Sequence, residues 1–558
     1  MDLTLLKMRT RTAAAIFLAL TLLLTWPLPL HPWSATLPMG PDGNLFLWTL
    51  AWDAHAFLHQ PLSIFDANIY HPLRHTLAFS ENLIGSAFVA APVIWVTGNV
   101  VLALNVVALL SVFLCGLGAY VLARRLGIGP AGAVVAGVIF AFSPPRFFRI
   151  WQLHLCVVQW IPFALASLHA YFDSGRKRDL RLAAAFFTLQ ALSSGHGAVF
   201  LILAVGGLLV WKAAGGTPIE PRRRLADLGV TGVLLLAPSA LMYLPYRAVQ
   251  QEMGLRRSLE NWAVTPGSFL AAPTHLQSAL LSLLPGPLIL ETASAYLFPG
   301  FLPLLLAAAA LGAVFARRAD AAARPRFVVF YAVLACVSVW LSIGPPLGLW
   351  PLVYWLPGMS FIRVPSRFTM LAVLGLAIVA AAGFDCLAAR LRTRGRRAFA
   401  AAATLLLAAE FAAVPLAVVP SRVDIPLADR WLATRPSPFA VAEVPLPDPL
   451  QAGPFERRQT MYMLHSMAHW QKTVHGYSGI RAPLHDRLYV LLRGFPDGAS
   501  LEELARLDVR YVVVHTELYA PGEWEQVAAR IDRYGGWIRL EHVAGTGRVY
   551  SLHPPAPQ

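Results

Sequence analysis

Charge is scarce in this chain. Asp, Glu, Lys and Arg make up 13% of its 558 residues, and the 30 acids are outnumbered by 45 bases. A water-soluble domain carries roughly 25% charged residues. With 57% hydrophobic residues and a mean hydropathy of +0.57, the composition excludes a soluble globule and points to a polytopic membrane protein. Cysteine is equally sparse, which excludes a disulfide framework. Cys115, Cys156, Cys336 and Cys386 all fall in apolar stretches, as small packing residues rather than disulfide partners or metal ligands. A small-residue cleavage site is also missing. The apolar run 13–32 follows Lys7, Arg9 and Arg11 and ends in WPLPLHPW, so it reads as an uncleaved first span, not a signal peptide. The net charge of +15 suggests nucleic acid as a partner, but the placement of the bases excludes it.

What is abundant is apolar sequence of membrane-crossing length. Runs of roughly 18–25 residues recur, and only helices satisfy their backbone in hydrocarbon. Spans are expected over 13–33, 100–123, 130–145, 152–172, a hairpin across 182–211, and then 228–248, 296–316, 326–344, 368–389 and 398–419. That makes about eleven spans. Basic clusters at 7–11, 124–125, 176–181, 212–224, 317–326 and 390–397 mark every second connection as cytoplasmic. The N-terminus then lies inside and the C-terminal part outside a bacterial inner (plasma) membrane. Segment 83–97 is apolar but short and contains Pro92; it is expected to be re-entrant or interfacial, with a true span as the alternative. Ser193-Ser194-Gly195-His196-Gly197 is the natural tip of the hairpin.

Composition changes after Val419. Residues 1–419 form the expected transmembrane domain, and 420–558 an extracytoplasmic α/β domain of ordinary size. Strands are expected at 439–446, 509–515 and 547–552, and amphipathic helices at 501–507 and 524–534. His465 and His469 have the spacing of one helix face, but the Glu of a metalloprotease motif is missing. A hydrogen-bonded surface packed on the membrane domain is the preferred reading there.

The first outer loop, 34–82, is the richest polar stretch. Its acids are Asp42, Asp53, Asp66 and Glu81. Gly40-Pro41-Asp42-Gly43 reads as a turn presenting Asp42 ahead of Phe46, Trp48 and Trp52, aromatics suited to a membrane interface. Asp53 is expected to face solvent on an interfacial helix and Asp66 to line the substrate or cap a turn; Glu81 is the reserve acid. Later outer segments supply Arg146, Arg149, His154, His196, Arg363 and Arg367. Arginine pairs bidentately with phosphate, and a carboxylate near a hydroxyl can take its proton. The bland alternative for each arginine is snorkelling to headgroups.

GPDGNLFLWTLAW, FDANIYHP, HLCVVQWIP and FIRVPSRF, with the layout of a first span, a long outer loop bearing an early acid, paired spans and an α/β tail, resemble the GT-C superfamily of membrane glycosyltransferases. The resemblance implies a GT-C-like fold and sugar transfer from a polyprenyl-phosphate donor to an envelope glycan, lipid or protein acceptor. It implies Asp42 as catalytic base, and Arg363 and Arg367 on the lipid phosphate. The loop lacks a DxD or ExD pair, since Gly43 and Asn44 follow Asp42, so a divalent metal (Mg or Mn) stays open. Two rivals stand beside this reading: a transporter or flippase for a lipid-linked saccharide, and a non-catalytic assembly factor. A transporter needs a polar path at mid-membrane, for which His154, His169, His196 and Glu410 are the main candidates.

Overall fold

Apolar runs set the helices, and several of them end at a Gly such as Gly98 or Gly175 in the left-handed region. The computed structural model describes residues 3–214, 221–254, 264, 266–284, 296–316, 326–344, 346–356, 359, 362 and 364–554. They form two compact units. The first comprises Met1–Pro32, Asn105–Met242 and Leu255–Val418; the second comprises Trp33–Leu104, Tyr243–Gly254 and Val419–Gln558.

The first unit is an α-helical membrane bundle. Among the described residues, four helical stretches are long and apolar enough to cross a bilayer: Val100–Arg125, Leu153–Ser174, Gly195–Ala214 and Pro365–Ala388. The pair Pro130–Phe142 and Pro144–Trp151, bent by 49° at Ser143, adds a fifth if it is one broken span. Other expected spans are shorter apolar helices, Thr10–Leu24, Phe301–Ala316 and Arg326–Ser342. The expected hairpin falls on two successive helices, Lys177–Ser193 and Gly195–Ala214, of which the second is long and apolar enough to cross. The last expected span stops earlier than the hydropathy suggests, at Phe411.

Thr369–Ala388 is buried along nearly its whole length and packs against Phe301–Ala316, Arg326–Ser342 and Pro130–Phe142. Small residues permit this approach: a Cβ on Gly383 would stand 1.8 Å from the Leu306 carbonyl oxygen. Two acids are consumed at helix N-termini, where unpaired N–H groups and the helix dipole favour an anion. Asp385 accepts from the Gly129 N–H at 2.5 Å, at the start of Pro130–Phe142. Glu410, buried, accepts from the Phe301 and Leu302 N–H groups and from Gln277.

The second unit joins the first outer loop to the C-terminal part of the chain, whereas the sequence groups that loop with the membrane domain. A short ribbon of β1 (Ala35–Thr36) and β2 (Val419–Pro420) pairs the two segments antiparallel. Beyond it lie β3 (Ala440–Val444), β4 (Lys472–Thr473), β5 (Val509–His515), β6 (Ile538–Ala544) and β7 (Gly547–Leu552), in the order β4-β3-β5-β7-β6. The first three are parallel to one another, and β5-β7-β6 is antiparallel. The runs read as strands at 439–446, 509–515 and 547–552 are β3, β5 and β7, and the expected helices are Gly498–Arg506 and Glu523–Arg533. His465 and His469 do not share a helix face, because Ala452–His465 ends at His465 and a 3-10 turn, Ser466–Ala468, follows.

In the loop, the Gly40 to Gly43 segment is not a free turn. It is the first turn of a 19-residue helix, Pro41–His59, with Gly40 at φ 59° before it. Phe46, Trp48 and Trp52 are buried rather than interfacial, and Asp53, expected in solvent, is 0% exposed. The reason is packing from two sides: Ile84–Thr97 covers one face of Pro41–His59 and Ala452–His465 another. Burial also holds the Asp53 carboxyl well above the usual carboxylate range. Ile84–Thr97 has 14 residues with Pro92 inside it. At about 1.5 Å per residue it falls short of about 30 Å of hydrocarbon, in line with a segment that does not span.

Candidate functional site

Asp42 gains its position from residues far along the chain. Pro41 at the first helical position presets the turn, and Asp42 follows in a place where negative charge is favoured. Its Oδ1 accepts a 2.8 Å hydrogen bond from the Tyr477 hydroxyl. Burial, and next the Asp42 charge, push the Tyr477 phenol upward, so it keeps its proton and stays a donor. Glu456 is the neighbouring acid; its carboxyl is raised by desolvation first and then by Asp42. Asn44, two residues on, donates to Thr460 Oγ1 at 3.2 Å.

The backbone of 68–71, bent at Tyr70 (φ 56°), pairs with the segment that leads to Tyr477. Tyr70 N–H donates to the His475 carbonyl at 3.0 Å, His71 N–H to the Thr473 carbonyl at 2.9 Å, and Thr473 N–H to the Asn68 carbonyl at 2.7 Å. Inside this edge, Gln459 Oε1 accepts from Gly476 N–H at 3.1 Å and from His475 Nδ1 at 3.2 Å, while His475 Nε2 accepts from Glu443 N–H at 2.7 Å. Gly476 must be glycine, since a Cβ there would stand 2.5 Å from the Tyr70 ring. The chain from β3 through His475, Gln459 and Gly476 thus ends on the hydroxyl that holds Asp42.

The other two loop residues have different surroundings. Glu81 acts electrostatically on Tyr243 and Tyr246, and Tyr246 OH donates to the Ser80 carbonyl at 2.9 Å. Asp66 accepts from His75 N–H at 2.8 Å, and Lys472 Nζ donates to the Asp66 carbonyl at 3.0 Å. That is the turn-capping arrangement, with His75 at φ 54°.

In the first unit, four predicted residues converge. His196 opens Gly195–Ala214, and Arg367 lies in the 3-10 turn Pro365–Phe368. His154 lies in Leu153–Cys156 and Arg149 in Phe148–Trp151. Arg367 Nη1 donates to His196 Nε2 at 2.5 Å, which fixes that imidazole as neutral with its proton on Nδ1. The His154 and His196 rings are 5.7 Å apart, and Arg149 and Arg367 feel each other's charge. Two guanidinium groups brought together against their mutual repulsion form a site suited to an anion. Arg146, also fully buried, points elsewhere: it donates to the Ala141 carbonyl at 2.9 Å, the Cys156 carbonyl at 3.1 Å and Cys115 Sγ at 3.1 Å, bracing the bend at Ser143. Arg363 lies outside the described residues.

Tyr477, Glu443 and His515 were not singled out in the sequence. Among the described residues, the group of three donors close enough to share a metal ion is Glu443, His465 and His515. The acids of the outer loop do not form such a group.

No protein-family profile and no curated protein matches this chain. Solved structures do. The arabinofuranosyltransferase AftD from Mycobacteria superposes with a TM-score of 0.59 at 17% identity, over 98% of this chain and 40% of AftD. The oligosaccharyltransferase of Archaeoglobus fulgidus, solved with a tethered acceptor peptide, gives 0.48 at 15%, over 98% and 74%. ArnT from Cupriavidus metallidurans, solved with undecaprenyl phosphate, gives 0.46 at 12%, over all of both chains. This chain spans about 40% of the length of AftD and shares its fold over that part.

Proposed function

We propose that this protein is a glycosyltransferase that moves a sugar from a polyprenyl-phosphate donor to an acceptor hydroxyl on the outer face of the membrane. The observation that carries this reading is the convergence of Arg149, Arg367, His154 and His196, residues from four separate segments, on one cationic cluster. The fold shared with AftD supports it. Nucleotide sugars are confined to the cytoplasm, so an outward-facing enzyme draws its sugar from a lipid carrier.

In the proposed reaction Asp42 takes the proton of the acceptor hydroxyl as its oxygen attacks the anomeric carbon. The bond from that carbon to the phosphate oxygen breaks, and the polyprenyl phosphate leaves with the electron pair. Attack opposite the leaving group inverts the anomeric configuration. Arg367 and Arg149 stabilise the charge developing on the phosphate, which is worth most in a water-poor site. Arg363 is expected to assist them. Tyr477 holds the Asp42 carboxylate in one orientation; Arg146 and Asp66 are assigned to bracing their own segments, and Glu81 is the alternative base. No step is routed through a metal.

A transporter would need ionisable residues free along a path through the bundle. Glu410 is instead committed to a helix start, and His169 shares a 3.1 Å hydrogen bond with Tyr331 OH. The test is transfer by the reconstituted protein with polyprenyl-phosphate sugars. Asp42→Asn is expected to lower kcat at least about 100-fold, the usual range for loss of a general base. Arg367→Lys is expected to raise KM for the donor lipid about tenfold, because lysine cannot pair bidentately. Full activity of Asp42→Asn with loss in Glu81→Gln would move the base to Glu81. Facilitated movement of the lipid-linked sugar without bond cleavage would overturn the reading.

A further inference from the structure

The C-terminal part of the chain hides a second group of chemistry-bearing side chains that the proposed transfer does not use. Glu443 on β3 and His515 at the end of β5 lie on adjacent parallel strands. His465 closes the helix Ala452–His465 above them, and Asp429 comes from the helix Leu427–Leu432. All four are buried, none more than 5% exposed. Glu443 Oε2 stands 2.8 Å from His465 Nδ1 and 2.7 Å from His515 Nε2. Asp429 Oδ2 stands 4.0 Å from the same His465 Nδ1.

Two carboxylates in a protein interior need compensation, because an uncompensated buried charge is costly. Among the described residues their ion-pair partners are imidazoles, not Lys or Arg. Both oxygens of Asp429 are sealed from solvent without a hydrogen-bond partner; the nearest donor, His469 Nε2, is 3.6 Å away. An orphaned carboxylate aimed at a histidine that already faces a glutamate is what a shared cation would resolve.

We propose that Asp429, Glu443, His465 and His515 bind one Zn²⁺ ion as a closed, structural site. Two imidazole nitrogens and two carboxylates are a four-donor set for tetrahedral zinc, with metal–donor bonds of about 2.0–2.2 Å. Such bonds place neighbouring donors roughly 3.3 Å apart. Glu443, His465 and His515 offer donor atoms that all lie within 4.8 Å of one another. Asp429, 4.0 Å from His465 Nδ1, lies outside that group and joins it by rotating its side chain inward. Outer partners are also in place. Glu517 Oε1 lies 3.7 Å from His515 Nδ1, and His469 faces the far oxygen of Asp429, the arrangement that orients ligands in zinc sites. The Tyr462 ring stacks on His515 at 5.4 Å, holding that imidazole in place. The ion therefore ties helix Leu427–Leu432 and the end of Ala452–His465 to strands β3 and β5.

The inference is independent of the transferase reading and is tested without activity. Full-length protein purified in detergent, with Zn²⁺ supplied and excess removed by gel filtration, is expected to hold one zinc per chain by elemental mass spectrometry. Chelation is expected to lower Tm by at least about 5 °C, with recovery on adding Zn²⁺. Co²⁺ in its place should give the visible absorption of a tetrahedral site. Asp429→Asn, which preserves volume, should fold and lose both the stoichiometric zinc and the Co²⁺ spectrum. Wild-type protein that retains no zinc and shows no Tm response would overturn the proposal, as would Asp429→Asn binding zinc like wild type.

Discussion

Asp42, the proposed base, shows how the orientation of a carboxylate can depend on one hydroxyl. The 2.8 Å bond from Tyr477 is the contact that selects a carboxylate orientation, and it favours the ionised form. Tyr477→Phe is therefore expected to lower kcat about tenfold with little change in KM, in keeping with the loss of one charge-assisted hydrogen bond. It should also move the acid limb of the pH–rate profile to higher pH. A purely structural role would lower expression or Tm and leave the profile in place. At this scale the sequence was partly readable. Asp42 stood out because Gly-Pro-Asp-Gly punctuates an apolar context, and His154, His196, Arg149 and Arg367 because ionisable groups are rare at membrane depth. Tyr477 lies in a polar stretch, His475 to Gly479, but carried no signal of its own, since its partner is 435 positions away. Trp48, Trp52 and Asp53 misled for a related reason: a local pattern cannot reveal that both faces of Pro41–His59 are covered.

Elements were more legible than sites. β5 follows from a β-branched run, β3 and β7 from short apolar alternation, and the Ser193 to Gly197 tip from its small residues. The helix Ala452–His465 was missed as a unit because its charged first half and Met-rich second half share no simple period. The edge formed by 68–71 against 472–475 was invisible, for its hydrogen bonds are backbone bonds that any sequence can make. That edge yields a sharp prediction. Gly476→Ala forces a methyl to 2.5 Å from the Tyr70 ring, so either the ring or the segment carrying Tyr477 must shift. A loss of about 1–3 kcal/mol in stability is expected, as for other overpacked sites. Transfer should fall with it even at temperatures where the protein stays folded, because Asp42 loses its donor. Gly453→Ala, where the nearest side-chain atom is 3.6 Å away, is the control expected to change neither.

The whole molecule couples acidity to integrity through His485. This imidazole is buried, with Nε2 donating to the His71 carbonyl at 3.1 Å, and burial pulls it down to about 4. The unfolded chain takes up a proton near pH 6.5, which the native state refuses until about pH 4. Stability from this group is complete above pH 6.5 and is lost as pH falls through that window. At about 1.36 kcal/mol per pH unit the full loss is roughly 3 kcal/mol. Tm measured in detergent from pH 7.5 to 4.5 should fall, and His485→Gln, which keeps the donor to His71, should make the fall shallower, the rest belonging to His475, which burial also pulls down to about 4. An unchanged curve would assign the acid sensitivity to other groups. Bundle and α/β tail were both readable from composition, whereas the membership of the first outer loop was not, because it is decided by contacts rather than by hydropathy.

That membership has a consequence for how the chain is made. Asn44, Asn68 and Asp42 find their partners 416, 398 and 435 positions later. On a ribosome adding residues in order, the early segment leaves long before Thr460, Ser466 or Tyr477 exists. It must be held, with Trp48 and Trp52 uncovered, until synthesis is nearly finished. Segment 34–82 is thus among the last parts to fold, and a chain cut short before residue 419 would leave Pro41–His59 covered by Ile84–Thr97 but without Ala452–His465 on its other face.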